Sequence, residues 1–339
     1  SLVLAAGSPA FTVNAISYYS MGAHLCASLA YAALLLRPTP RRLLAAGAVG
    51  SLALTLHNPV PHLLFALPFA VLVAFRSRRL RDAGLLALGY LPGALLLGLG
   101  WMVIRCKFGA CAASGSVDHL VLDLLRLGFT VPGPDLLWAR GAGLCKLALW
   151  AVPGLIPLTF WGARALWHGP DQSKRAWWRA FTMAAALTLG AYLFVPYDQG
   201  HGWGYRYFHS AWGVLPLFGA AALYEDESGR DVLRRTMFIA CVASAVVLTA
   251  LRFVQVRTFI AAHVAQIPAA GHAQREIVFV REYDGYYSVD LVQNDPFMRD
   301  DRWVLISRGR RADEILVHRF FPSASLRARN AVADVWQVE

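Results

Sequence analysis

The chain has 339 residues, 57% of them hydrophobic and 16% charged, with a mean hydropathy of +0.45. That balance excludes a pair of ordinary water-soluble domains and describes a chain that prefers lipid to water. The net charge of +11 falls mostly in short loops between apolar blocks, where the positive-inside effect puts it, so no nucleic-acid partner is expected.

The apolar blocks lack the alternation of strands, and only helices or closed barrels satisfy the backbone in hydrocarbon. They predict about eight transmembrane helices, near residues 18–36, 43–56, 63–75, 83–104, 144–161, 180–195, 210–223 and 237–251. Basic clusters follow the first, third, fifth and seventh spans: Arg37, Arg41 and Arg42; Arg76, Arg78, Arg79 and Arg81; Lys174, Arg175 and Arg179; Arg230, Arg234 and Arg235. Those loops are expected to be cytoplasmic, which leaves 57–62, 105–143, 196–209 and both ends of the chain outside. Arg105, Lys107, Arg126 and Arg140 make the long outer loop basic as well, and a short interfacial helix at 120–127 is expected to carry Arg126 on its polar face.

The fold expected is therefore an all-α polytopic membrane bundle with outer loops over residues 1–255, followed by a small extracytoplasmic C-terminal α/β domain over 256–339. Strand-like runs at 277–280 and 303–306 support the second part. The first residue is Ser1 and no signal-like segment precedes the apolar blocks, so the chain is expected to begin inside a longer protein.

Cys26, Cys145 and Cys241 fall in apolar spans and read as packing residues. Cys106 and Cys111 flank a short turn in an outer loop. A disulfide is one reading of that pair and two free small residues the other; no nearby histidine completes a metal site.

The stretch Pro196-Tyr-Asp-Gln-Gly-His-Gly-Trp-Gly-Tyr-Arg-Tyr-Phe-His209 gathers charge, aromatic rings and glycines at the mouth of two spans. Polar groups beside lipid are costly unless something uses them. Trp203, Tyr205, Tyr207 and Phe208 offer faces for a sugar or a polyprenyl chain, while Arg206 has the planar fork that binds a phosphate. An interfacial aromatic belt with a snorkelling arginine explains the rings, but not Asp198, His201, Arg206 and His209 set among three spaced glycines.

A second group is His57-Asn-Pro-Val-Pro-His62, an outer turn in which His57 and His62 read as acid/base groups, phosphate partners, hydrogen-bonded interfacial residues or, as the minority option, metal ligands, with Asn58 beside them as a donor-binding candidate. Asp118 and His119 read as a solvated loop pair, and His24 as a histidine bonded to a neighbouring helix. There is no Walker-type phosphate loop, dinucleotide fingerprint or nucleophile elbow.

The segments Gln199-Gly-His-Gly-Trp-Gly-Tyr-Arg-Tyr-Phe-His209, His57-Asn-Pro and Ser8-Pro-Ala-Phe-Thr-Val-Asn-Ala-Ile-Ser-Tyr-Tyr19 resemble the GT-C superfamily of integral-membrane glycosyltransferases. The likeness is to bacterial inner-membrane proteins similar to the dolichyl-phosphate-mannose and aminoarabinose transferases. It implies inverting transfer of a sugar from a polyprenyl-phosphate donor to an acceptor on the outer face, with membrane lipids and the lipid-linked sugar as partners. A carboxylate base is implied in the first outer loop, in some members with a divalent metal. No acidic residue of this chain matches that base, which is expected upstream of Ser1. What the resemblance leaves here is donor handling: Arg206, helped by His201 or His209, on the leaving lipid phosphate, with His57 and His62 on the opposite wall. The tail from Gly271 onward is expected to cover the site or bind the acceptor. The rival readings are a transporter or flippase for a lipid-linked glycan, and a non-catalytic membrane scaffold.

Overall fold

The computed structural model describes residues 1–16, 20–56, 59–77, 80–107, 129–196, 203–224, 231–271 and 275–338, with backbone alone at 76, 77, 102, 105 and 106. The chain forms two compact units, Ser1–Arg252 and Phe253–Glu339. The sequence reading divides it at 255/256.

The first unit is helical. Two short helices, α1 (Leu2–Ala6) and α2 (Pro9–Ala15), precede α3 (Met21–Leu35), α4 (Pro40–Thr55) and α5 (Val60–Ser77). Next, α6 (Leu80–Gly93) runs through a π-helical turn at Ala94–Leu99 into α7 (Gly100–Lys107). Then come α8 (Pro134–Leu149), α9 (Leu155–Trp167), α10 (Gln172–Tyr192), a 3-10 turn at Arg206–Ala211 and α11 (Val214–Tyr224). Finally α12 (Asp231–Ala243) continues through a second π turn, Ser244–Leu248, into α13 (Thr249–Val264), whose residues from Phe253 onward belong to the second unit.

Local chemistry sets several starts. Thr39 caps α4 by accepting from the Arg42 N–H at 3.3 Å, with Pro40 in the first turn where its missing N–H costs nothing. Asp171 caps α10 by accepting from the N–H groups of Ser173 and Lys174 at 2.9 and 3.2 Å.

Among the described residues two helices, Leu80–Leu99 and Asp231–Val264, are long and apolar enough to cross a membrane, and Met21–Leu35, Val60–Phe75 and Val214–Tyr224 are shorter apolar helices. Only 6% and 22% of the most apolar windows of the two long helices are buried. Leu96 (75% exposed) and Phe238 (60% exposed) show how much oily surface is left open. A helix from the core of a soluble protein buries such residues.

One expected span is corrected. Residues 144–161 are not one helix: α8 stops at Leu149 and α9 starts at Leu155. Pro153 has no N–H to continue the ladder, and Gly154 turns the backbone at φ 84°, a conformation that costs a residue with a Cβ. The expected interfacial helix at 120–127 lies outside the described residues.

Helices close where side chains are smallest. A Cβ at Gly47 would overlap the Leu86 carbonyl, and one at Gly89 the Leu44 carbonyl, so α4 and α6 touch backbone to backbone. Gly162 of α9 lies against the Phe218 carbonyl of α11 in the same way. Between α5 and α10 the contact is aromatic, with Phe69 edge-on to Phe181 at 4.8 Å and stacked on Phe65 at 5.3 Å. Cys26 and Cys145, read as packing residues, lie exposed on their helices, while Cys241 is buried.

The second unit holds a mixed sheet of β1 (Arg275–Val280), β2 (Arg302–Ile306), β3 (Ser325–Arg329) and β4 (Ala333–Val338) in the order β2-β1-β4-β3. β1 runs parallel to β2 and antiparallel to β4, which pairs antiparallel with β3. Helix α14 (Arg310–Phe320) lies in the connection from β2 to β3. Val317 of that helix packs with Ile277, Phe279 and Trp336 on one face. Val278, Val280, Val304 and Val335 meet Leu291 on the other face. Both faces of β1 are covered, so its sequence is a continuous apolar run. Two buried carboxylates tie the sheet: Glu276 to Arg327 and Arg302 (2.9 and 3.5 Å), and Asp334 to Arg281 and Arg329 (3.0 and 3.1 Å).

Candidate functional site

The stretch after α10 is anchored from several directions. Asn14 of α2, almost fully buried, donates through Nδ2 to the Ala10 carbonyl at 2.6 Å and the Trp203 carbonyl at 2.9 Å. The Ala10 N–H donates to the Trp150 carbonyl at 2.9 Å, so α2 is stitched both to the break after α8 and to the glycine-rich stretch. Gly204 sits at φ 73°, and a Cβ there would stand 3.2 Å from that of Ala10 and 3.5 Å from that of Trp150. Only glycine lets the backbone pass this closely with that dihedral.

Aromatic rings then form two stacks. Trp203 lies beside Trp150 with ring centroids 6.0 Å apart, and the Arg252 guanidinium sits 4.9 Å over Trp150 while donating to the Leu149 carbonyl at 3.1 Å. Tyr207 stacks on Tyr192 at 4.6 Å with planes 7° apart. The Arg140 guanidinium stands 4.9 Å over the Tyr207 ring, and its Nη2 donates to the Val195 carbonyl at 2.6 Å. Arg206 is half-buried at the start of the 3-10 turn, between Tyr205 and Tyr207 in the chain. Tyr205 is buried against Gly143, where an added Cβ would be 2.6 Å from its ring.

His209 is buried in the 3-10 turn and stacks on Trp212 at 6.3 Å, which in turn stacks on Phe11 at 5.7 Å. Burial favours the neutral imidazole, so His209 can donate or accept a hydrogen bond without adding charge.

Of the residues singled out from sequence, Trp203, Tyr205, Arg206 and His209 share this region, and Asp198 and His201 lie outside the described residues. His57, Asn58 and Cys111 also lie outside them, as does the Cys106 side chain, so neither the outer turn nor the disulfide is described. His62 is described, and its ties are to other helices: fully buried, it shares a 2.8 Å hydrogen bond between Nε2 and the Tyr90 hydroxyl, with Tyr31 edge-on at 5.2 Å. It is bound into the packing of α3, α5 and α6. Among the described residues no three His, Cys, Asp or Glu side chains lie close enough to hold a metal ion.

Sequence reasoning missed Arg140, Arg252, Asn14 and Tyr192. Arg140 carried a signal, a charge inside the apolar stretch that forms α8, but in a loop reading it was one basic residue among four. No family model, curated protein or solved structure matches the chain.

Proposed function

We propose that this chain is a membrane glycosyltransferase that moves a sugar from a polyprenyl-phosphate donor to an acceptor on the outer face of a bacterial inner membrane, with the arginine and aromatic groups after α10 handling the donor. The observation that carries this reading is Arg140 over the Tyr192–Tyr207 stack, with Arg206 half-buried next to Tyr207 in the chain and Trp150, Trp203 and Arg252 in a second aromatic group. Arginine forks suit phosphate oxygens and keep their charge at every working pH, and flat rings suit the apolar faces of sugars. As the glycosidic bond breaks, negative charge grows on the departing lipid phosphate. Fixed cations held in a region of low dielectric stabilise that charge more than they stabilise the bound donor. Arg206 is the residue assigned to contact the phosphate, and Arg140 the one that holds Tyr207 and the carbonyl end of α10 in register. Neutral His209 supplies a hydrogen bond. The multi-pass reading rests on the exposed apolar faces of the two long helices, and it puts the second unit on the extracytoplasmic side.

The test is transfer of radiolabelled sugar from a panel of polyprenyl-phosphate donors in membranes that carry the protein at its full natural length. Transfer present in the wild type and lost in Arg206→Ala at equal protein level supports the reading. Absence of transfer from every donor overturns it.

A second reading, transport of a lipid-linked glycan, is favoured by one observation: the polar side chains of Tyr31, His62 and Tyr90 meet inside the bundle. Movement of a fluorescent lipid-linked glycan across vesicles, without sugar transfer, would select it.

A further inference from the structure

We propose that the second unit binds a neutral oligosaccharide in a cleft of its own, at the carboxyl ends of β1 and β2. The two parallel strands finish side by side, with Val280 opposite Ile306. The chain leaving β1, the chain leaving β2 and the β3–β4 turn line an open cleft of about 610 Å³. This volume lies within the range of small-molecule sites.

The floor of the cleft is fixed by its own hydrogen bonds. Arg281 donates to the Ala331 carbonyl at 2.9 Å, to Asp334 at 3.0 Å and to the Asn330 carbonyl, and pairs with Asp284 at 3.1 Å. Asn330 accepts from the N–H groups of Val332 and Ala333, both at 2.8 Å. A frame already satisfied internally does not reorganise on binding, which favours affinity.

Around this floor stand groups that face solvent. Tyr283 is 87% exposed, a large apolar face left open beside a polar cleft. Glu282 and Arg310 are also exposed there. The lining carries two arginines, Arg281 and Arg310, against two carboxylates, Glu282 and Asp284. That balance of sign disfavours a polyanion and a polycation alike. It suits a neutral polyhydroxyl ligand, whose hydroxyls accept from Arg310 and donate to Glu282 while a ring face lies on Tyr283.

This goes beyond the transfer reading and does not depend on it, because binding is read with no lipid donor present. The experiment is saturation-transfer NMR and titration calorimetry on this chain in a detergent whose headgroup is not a sugar. The probes are neutral trisaccharides of glucose, galactose, mannose and N-acetylglucosamine, with inorganic phosphate and glucose 6-phosphate as the anionic arm. At least one neutral trisaccharide is expected to bind. Tyr283→Ala should weaken it roughly tenfold, Glu282→Gln should weaken it less, and Tyr283→Trp should retain it, all at an unchanged thermal midpoint. Binding of none of the neutral probes, binding of the anionic probes alone, or equal binding in the wild type and Tyr283→Ala would overturn the proposal.

Discussion

Arg140 is 2% exposed in the middle of a largely apolar helix, and the energy of that burial has to be recovered locally. The Val195 carbonyl and the Tyr207 ring recover part of it, and through them α8 is tied to the end of α10 and to the stretch beyond it. Arg140→Ala should therefore lower stability by about 3 kcal/mol, from one charged hydrogen bond and one desolvated cation–π contact, read as a drop in the thermal midpoint in detergent. Arg140→Lys should restore less than half of it, because an ammonium has no planar fork to serve both partners. His209 gives a prediction in pH. Burial depresses its folded-state pKa below the unfolded value, so between the two values the unfolded chain binds the extra proton. Its contribution is complete above about pH 6.5 and is lost as pH falls from there through the lower folded value. Melting measured from pH 7.5 to 5 should show a steeper loss in the wild type than in His209→Phe, which keeps the ring on Trp212; equal slopes would remove His209 as the cause.

Helix contacts in the first unit depend on glycine where α4 crosses α6, since a Cβ at Gly89 has the Leu44 carbonyl in its place. Gly89→Ala should separate the two helices and cost about 2 kcal/mol, whereas Gly84→Ala on the same helix, with open space around it, should be neutral or slightly stabilising. Thermal midpoints of the two variants decide this. Helices of this kind were legible from apolar blocks, and so was the long final helix, although its length was underestimated because Arg252 and Arg257 interrupt the hydropathy without interrupting the backbone. The break between α8 and α9 was not read, although Pro153-Gly154 marks it, because the flanking residues are apolar enough to pass as one span. In the second unit, β1 and β2 were legible as apolar runs. β3 was not, since an edge strand reading Ser-Leu-Arg-Ala-Arg is polar on the side that faces water and carries its arginines to the buried carboxylates of β1 and β4.

Taken together, the chain has a helical unit with two long oily surfaces and a small mixed-sheet unit. The general class followed from composition because hydrophobicity is a local property that needs no knowledge of which residues meet. The candidate site was legible only where its residues are close in sequence, as in 203–209. Asn14, Arg140, Trp150, Tyr192 and Arg252 come to the same region from four helices distant in sequence, and no spacing announces a contact of that range. The arginine and aromatic groups so gathered are the reason for proposing that a lipid phosphate binds here. The direct measurement is binding of a short-chain polyprenyl phosphate to the purified chain, with wild type, Arg206→Ala and Arg206→Lys compared at two salt concentrations. The expected result is saturable binding in the wild type, weakened at least tenfold by Arg206→Ala, partly restored by lysine and reduced by salt. Equal binding by all three proteins, or none by the wild type, would contradict it.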